Sequence, residues 1–350
     1  MKKGVLTCLG KAENKRKNVG DYIQSLAAAQ FAGYDAVSVQ REFLNEYAGD
    51  PTKLIMNAWF MHHPERFPPS RDVVPLFLSF HVRPRIESKF FTNRTISYLR
   101  SLEPIGCRDT DTVAMMKRHG IDAEFSSCLT LTLGNTYRHE HKDTPVVFVD
   151  PYFLRPGRRW WRPLSILKML LRIPYVCFNL RAIAKLAGKF RVYGYWFGNR
   201  FFFVRWYNAS EFYRAYSPAF SDEVLLSAEY ITHKVLKSDY PTEEALFECA
   251  DRLLRRYEKA PFVVTSRLHC ALPCIAMGTP VWVPYHNDMT SGRFGGNDAF
   301  MNKLKFTSDG RLIAPSEGKI RPGDIPPVRD EHKPYAETLA RRCREFMEGA

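Results

Sequence analysis

Short apolar, β-branched runs alternate along the chain with stretches whose apolar residues recur at helical spacing. Gly4 to Leu9, Ala36 to Val39, Pro75 to Val82, Pro104 to Cys107, Pro145 to Asp150, Tyr230 to Val235, Phe262 to Thr265 and Val281 to Val283 read as strands. Lys53 to Phe60 is a further short apolar run, and Ala123 to Leu133 reads as an extended segment. Helical spacing covers Tyr22 to Phe31, Asn93 to Leu102, Val113 to His119, Thr242 to Lys259, Cys270 to Met277 and Glu331 to Gly349. Asn18 or Asp21, Asn93 or Thr95, and Thr242 stand where caps are expected, and Gly33, Gly120 and Gly278 stand where helices stop. Strands that are apolar throughout, alternating with helices, predict parallel sheets covered by helices: an α/β protein.

The stretch FVVTSRLHCALPCIAMGTPVWV, Phe262 to Val283, is a strand, helix, strand unit with Arg267 and His269 at the first strand's carboxyl end. That edge of an α/β sheet is where ligands bind, and the amides opening a helix favour anions. The plain alternative is a solvated loop arginine and a structural histidine. Arg108, in Cys107-Arg108-Asp109-Thr110, repeats the arrangement in the other half, so two arginines stand ready to converge on one anion. His81 closes the strand 75 to 82 and is a second acid/base candidate. Asn18-Val19-Gly20-Asp21 precedes the first helix where a phosphate loop would lie, although a capped helix start reads equally well. No GxGxxG or GxxxxGK accompanies it, so neither a dinucleotide site nor a P-loop is indicated. His62 and His63 are adjacent, lack a carboxylate cluster, and read as loop residues.

Length changes the picture, because 350 residues suit two domains. A polar loop running to Asp143 suggests boundaries at 1–140 and 144–330, with a terminal helix at 331–350. Charge changes it further. The net charge is +14, and no acidic residue lies between Asp150 and Glu211, an interval carrying twelve Lys and Arg. This basic, aromatic insert, 152–215, has helical apolar spacing from Pro163 to Ala187 and flanking rings at Trp160, Trp161, Tyr193, Tyr195, Trp196, Phe197 and Phe201 to Phe203. Three readings stand: a helical insert packed by its apolar face, an anionic membrane surface contacted through residues 155–205, or single-stranded nucleic acid, the last not favoured. The eight cysteines contain no CxxC pair, which argues for buried thiols in a reducing compartment and against zinc. The basic start MKKGVLTCLG is too short for a signal peptide, and no run is long enough to span a bilayer. A cytoplasmic protein, peripheral on the inner face of the membrane, is the resulting expectation.

Taken together, NVGDYIQSLAAAQF, PIGCRDTDT and VVTSRLHCALPCIAMGTPV resemble the polysaccharide pyruvyl transferase family, over about residues 18 to 284. The basic insert is outside the resemblance. The family implies two Rossmann-like domains similar to the GT-B glycosyltransferase arrangement, with the active site between them. It implies transfer of pyruvyl from phosphoenolpyruvate onto a terminal sugar as a cyclic ketal, in bacterial surface polysaccharides or yeast glycans. Its RLH motif matches Arg267, Leu268 and His269, and its strand-end Arg-Asp matches Arg108 and Asp109. On that resemblance the two arginines and Leu268 bind phosphoenolpyruvate; His269 is expected to act as acid/base or to donate to phosphate, with His81, which no family motif covers, competing for the first role, and Asn18, Gly20 and Asp21 are expected to line the acceptor side. The partner is then a glycan or lipid-linked oligosaccharide, with no cofactor or metal beyond the donor substrate. Two rival classes share the pattern: a GT-B-like glycosyltransferase using a nucleotide sugar, and a non-catalytic protein that binds glycans or a membrane surface.

Overall fold

A computed structural model describes residues 1–8, 16–33, 35–58, 62–140, 142–154, 163–192, 202–285 and 294–349. The strands are β1 Lys2–Thr7, β2 Arg16–Asn18, β3 Val37–Gln40, β4 Thr52–Ile55, β5 Val73–Leu76, β6 Ile105–Cys107, β7 Ala123–Phe125, β8 Val147–Val149, β9 Glu229–Ile231, β10 Lys234–Leu236, β11 Val263–Thr265, β12 Val281–Tyr285 and β13 Asn302–Lys305. The helices are α1 Val19–Ala32, α2 Glu87–Phe90, α3 Asn93–Arg100, α4 Thr110–Arg118, α5 Pro163–Leu171, α6 Ile173–Phe178, α7 Leu180–Val192, α8 Phe202–Tyr216, α9 Asp222–Ser227, α10 Glu243–Lys259, α11 Leu268–Met277 and α12 Lys333–Glu348.

Two parallel sheets organise the chain. The first has the order β3-β1-β4-β5, and the second β13-β12-β11-β8-β9. A parallel pair, β6-β7, abuts the first sheet through a bridge from Phe80 to Cys107. Valine-rich β8 and β11 are buried at every position, as a parallel strand covered on both faces requires. The halves are tied together. Antiparallel β2 and β10 pair across them, and one buried cluster joins Val5, Tyr22 and Ile55 to Val147, Leu254, Val263 and Leu272. Terminal α12 also joins that cluster through Leu339, Cys343 and Met347, and Lys53 Nζ reaches back to the carbonyl of Gly349.

Several expectations need correction. Residues 75 to 82 are not one strand: β5 ends at Leu76, and Ser79 takes φ +58° to turn the chain toward Cys107. The extended segment at 123 to 133 gives way to a 3-10 helix, Leu129–Asn135, whose leucines face the shared core. YITHKV divides into β9 and β10, which lie in different sheets with buried His233 between them. Residues 16–18, a polar stretch without a strand signal, form β2, and Thr92, not Asn93 or Thr95, caps α3 by accepting from the Thr95 amide. The basic insert is helical, as its spacing indicates, with three described helices followed by α8. Its aromatics Trp160, Trp161, Tyr193, Tyr195, Trp196, Phe197 and Phe201, and most of the glycine-rich loop 285–297, lie outside the described residues.

One glycine fixes how the site helix α11 sits. A Cβ on Gly134 would lie 2.2 Å from the carbonyl oxygen of Ala276, a backbone atom that cannot swing away. Gly134→Ala is expected to cost about 1–3 kcal/mol, the usual penalty of overpacking. Chemical denaturation of the two proteins checks this; equal stability would show that α11 can move.

Candidate active site

The carboxyl ends of the strands and the openings of α1, α4 and α11 surround one cleft. Its enclosed volume is only about 40 Å³, because the side chains of both walls close on one another, and it opens to solvent at its mouth. Every residue expected at the site lines it: Asn18, Gly20, Asp21, His81, Arg108, Arg267, Leu268 and His269. Arg83, His233, Ser266 and Phe294 complete the lining. The cleft thus draws on both halves of the chain.

On one wall, β6 delivers Arg108 and Asp109, and Asp109 caps α4 by accepting from the Thr112 amide at 2.9 Å. Asp109 is fully buried, and its second oxygen lies 2.6 Å from His81 Nδ1 and 3.8 Å from Arg108 Nε. Burial works to raise the Asp109 pKa, but His81, Arg108 and the Thr112 amide outweigh it and hold the carboxyl below its ordinary value. An ionised Asp109 therefore orients both His81 and Arg108. The Thr112 hydroxyl, 2.8 Å from Asp109 and 3.2 Å from His81 Nδ1, completes the frame. The carbonyl of Arg108 accepts from Asn297 Nδ2 at 2.8 Å, and Asn297 in turn accepts from Ser127 at 2.6 Å.

On the other wall, Arg267 is the N-cap residue of α11, yet no side chain caps the helix, so its opening amides face the cleft uncapped. Arg267 Nε donates to Asp150 at 2.9 Å. Asp150 sits at the end of β8 with φ +42°, a left-handed conformation that Asp tolerates better than most residues, and this turns its carboxylate under the guanidinium. The same oxygen accepts from the His233 amide at 3.0 Å. Burial would raise the Asp150 pKa, but Arg267 and His233 hold it below the ordinary value. The walls meet where Arg108 Nη1 lies 3.3 Å from His269 Nε2. A guanidinium only donates, so this contact uses the Nε2 lone pair of a neutral imidazole. Burial, together with the like charges of Arg85 and Arg108, pushes the Arg83 guanidinium below its ordinary pKa. Crowded cations of this kind are relieved by a bound anion.

His233 gives the site a pH signature. Its side chain is buried against the Tyr257 hydroxyl at 2.8 Å, and burial lowers its pKa to about 4. Because the folded value lies below the unfolded one, its contribution is complete above about pH 6.5 and is lost as pH falls toward 4. Stability is expected to drop by about 2 kcal/mol between pH 7 and pH 5 through this group. His233→Gln should flatten that part of the slope, read by urea denaturation at the two pH values; an unchanged slope would contradict it. Asp109 and Asp150 act in a separate, lower window, contributing above the ordinary carboxylate range and losing their part below it.

Asn18 donates to Asp21 at 3.2 Å, while its Oδ1 is buried without a hydrogen-bond partner. Its side chain does not cap α1, although it occupies the N-cap position. Gly20 lines the cleft in the first turn of α1. A Cβ there would lie 3.1 Å from His233 Nδ1 and 3.4 Å from His269 Cβ, so it lets α1 approach the opposite wall of the protein itself. Asp21 also faces buried Arg41, 3.9 Å away, in a second small cavity behind the cleft. Arg83, Asp150, Asn297 and His233 were missed. Asp150 carried a usable signal as the last residue of an apolar run, whereas His233 is hidden between two strands that read as one, and Arg83 and Asn297 lie outside the strands.

A polar cleft rich in guanidinium groups, set at the carboxyl ends of parallel strands, is the build of an α/β enzyme that handles an anionic substrate. The model of one family, polysaccharide pyruvyl transferase, matches residues 18–287, and the chain belongs to that family. It is therefore a transferase acting in polysaccharide chemistry. None of the curated proteins and none of the solved structures compared matches the chain.

Proposed function

We propose that the protein transfers the pyruvyl group of phosphoenolpyruvate to a terminal sugar of a surface polysaccharide, or of its precursor, as a cyclic ketal. The carrying observation is the meeting of Arg108 and Arg267, one from each half, with His269 in one cleft. Phosphoenolpyruvate presents a carboxylate and a phosphate, and two planar guanidinium groups match both. Arg83 and the uncapped opening of α11 supply further positive potential.

In this reading, the donor anion draws Arg108 away from His269 Nε2, the ring takes up a proton, and the resulting imidazolium delivers it to the enol methylene carbon, which becomes the ketal methyl group. The adjacent carbon gains oxocarbenium character and is attacked by one sugar hydroxyl. A second hydroxyl then takes the place of phosphate as the C–O bond breaks. Of the two hydroxyl protons released, one replaces that given to carbon and the other leaves with phosphate. The oxocarbenium charge forms beside the substrate carboxylate, so the arginines must hold that carboxylate without neutralising the whole site; Asp109 and Asp150 temper them. Asn18 Oδ1 offers an unpartnered acceptor to a sugar hydroxyl on the acceptor side. Isothermal titration with phosphoenolpyruvate and with a panel of nucleotide sugars tests the donor. Binding of phosphoenolpyruvate alone supports the reading, and tight binding of a nucleotide sugar alone overturns it.

A further inference from the structure

We infer that α5 and α6 form a docking surface for an anionic lipid membrane. Going beyond the assignment of the reaction, this inference stands without it. The helix α5 is almost wholly apolar apart from Lys168, and a helix of that composition is normally buried. Here it is not. Leu164, Ile166, Leu167, Leu170 and Leu171 are all exposed, Leu171 at 72%. The surface continues through Ile173, Phe178 at 89% exposure, and Leu180. The α6 segment contributes no buried residue, whereas α7 buries Ala182, Ile183, Leu186, Ala187 and Phe190 in the second core cluster. The expected packing of the insert therefore holds for α7, holds for one side of α6 only, and fails for α5.

These two helices are anchored without being covered. Arg172, at their junction, pairs with Glu211 of α8 at 2.6 Å, and Tyr175 and Val176 rest against the second cluster. The exposed leucines belong to α5, where Leu164, Leu167 and Leu171 share one face. A contiguous apolar surface of this kind marks an interaction site.

Charge selects the partner. From Pro151 to Ser210 the sequence has twelve Lys and Arg and no Asp or Glu. Lys168, Arg181 and Lys185 are exposed beside the apolar face. Apolar side chains with a basic border suit the headgroup and acyl boundary of an anionic leaflet, where the leucines enter and the cations meet lipid phosphates. No helix among the described residues is long and apolar enough to cross a bilayer, so the contact is peripheral through this surface.

Flotation of the full chain with vesicles tests it, using phosphatidylcholine alone and phosphatidylcholine mixed with phosphatidylglycerol. The protein is expected to float with the mixed vesicles, at least about tenfold more than with the neutral ones, and to be partly released by high salt. L167E/L171E is expected to lose roughly tenfold or more of that binding with an unchanged melting temperature, because both side chains are exposed. K168E/R181E/K185E should lose the preference for phosphatidylglycerol. Failure of the unmodified protein to float, or equal flotation of L167E/L171E, would overturn the inference. So would a concentration-dependent dimer in sedimentation that L167E/L171E abolishes, since that outcome assigns the face to a second copy. Selective flotation with RNA-free protein excludes nucleic acid as the bridge, and loss of binding on nuclease treatment would overturn the lipid assignment.

Discussion

Arg267→Ala is expected to lower kcat/KM for phosphoenolpyruvate by roughly 10²- to 10³-fold, the effect of removing a charged, hydrogen-bonded partner from a partly buried anion. A second effect follows from the same ion pair. Asp150 is buried, accepts from Arg267 Nε, and is held ionised largely by that contact. Without the guanidinium it keeps the His233 amide but loses its cation, which is expected to cost about 2–3 kcal/mol of stability once the partial exposure of Arg267 is allowed for. Arg267→Lys separates the two. It restores a cation to Asp150, and hence most of the stability, but cannot supply the planar fork, so kcat/KM should stay low. Steady-state kinetics beside chemical denaturation read both quantities. A variant within about threefold of the parent in kcat/KM would remove Arg267 from donor binding.

His269→Ala is expected to reduce kcat by about 10²- to 10⁴-fold, the usual contribution of a positioned acid or base. The geometry makes the test specific, because His269 Nε2 already faces Arg108 at 3.3 Å, and loss of the ring also removes an acceptor from that guanidinium. His269→Gln keeps a hydrogen-bonding group near Arg108 without one that titrates near neutrality. If His269 moves the proton, the Gln variant should hold KM near the parent value while kcat stays low and the pH–rate profile loses a limb. His81 is the natural comparison. It is bound to an ionised Asp109 and to Thr112, an arrangement that fixes its orientation. A His81→Gln variant with the larger loss in kcat, and His269→Gln near parent activity, would exchange the two roles.

Much of this site was legible because strand ends and helix starts leave strong marks. Arg108 and Arg267 follow short buried runs and precede capped or small-residue helices, so topology alone brings them to a sheet edge. The partners that fix their geometry were less visible. Asp109 was present in the motif, but its pairing with His81 depends on a chain reversal at Ser79, where a non-glycine residue takes a positive φ that apolar periodicity does not encode. His233 falls between two strands that read as one, because a run of β-branched residues does not reveal when it changes sheets. The insert shows the same limit differently. Its helical spacing was plain, but the more apolar helix, α5, is the exposed one and the more basic α7 is the one that packs, which only their surroundings decide. The boundaries 1–140, 144–330 and 331–350 remain a proposal about folding units, set against a core that joins both sheets and α12.

The most direct test of the account is mass spectrometry of glycan acceptors incubated with the full chain and phosphoenolpyruvate, with released phosphate measured in the same reaction. An acceptor carrying a pyruvyl ketal is expected, with one phosphate released for each group added and loss of both products with Arg267→Ala. Phosphate release without a modified acceptor, or a glycosyl mass gained from a nucleotide sugar in its place, would contradict it.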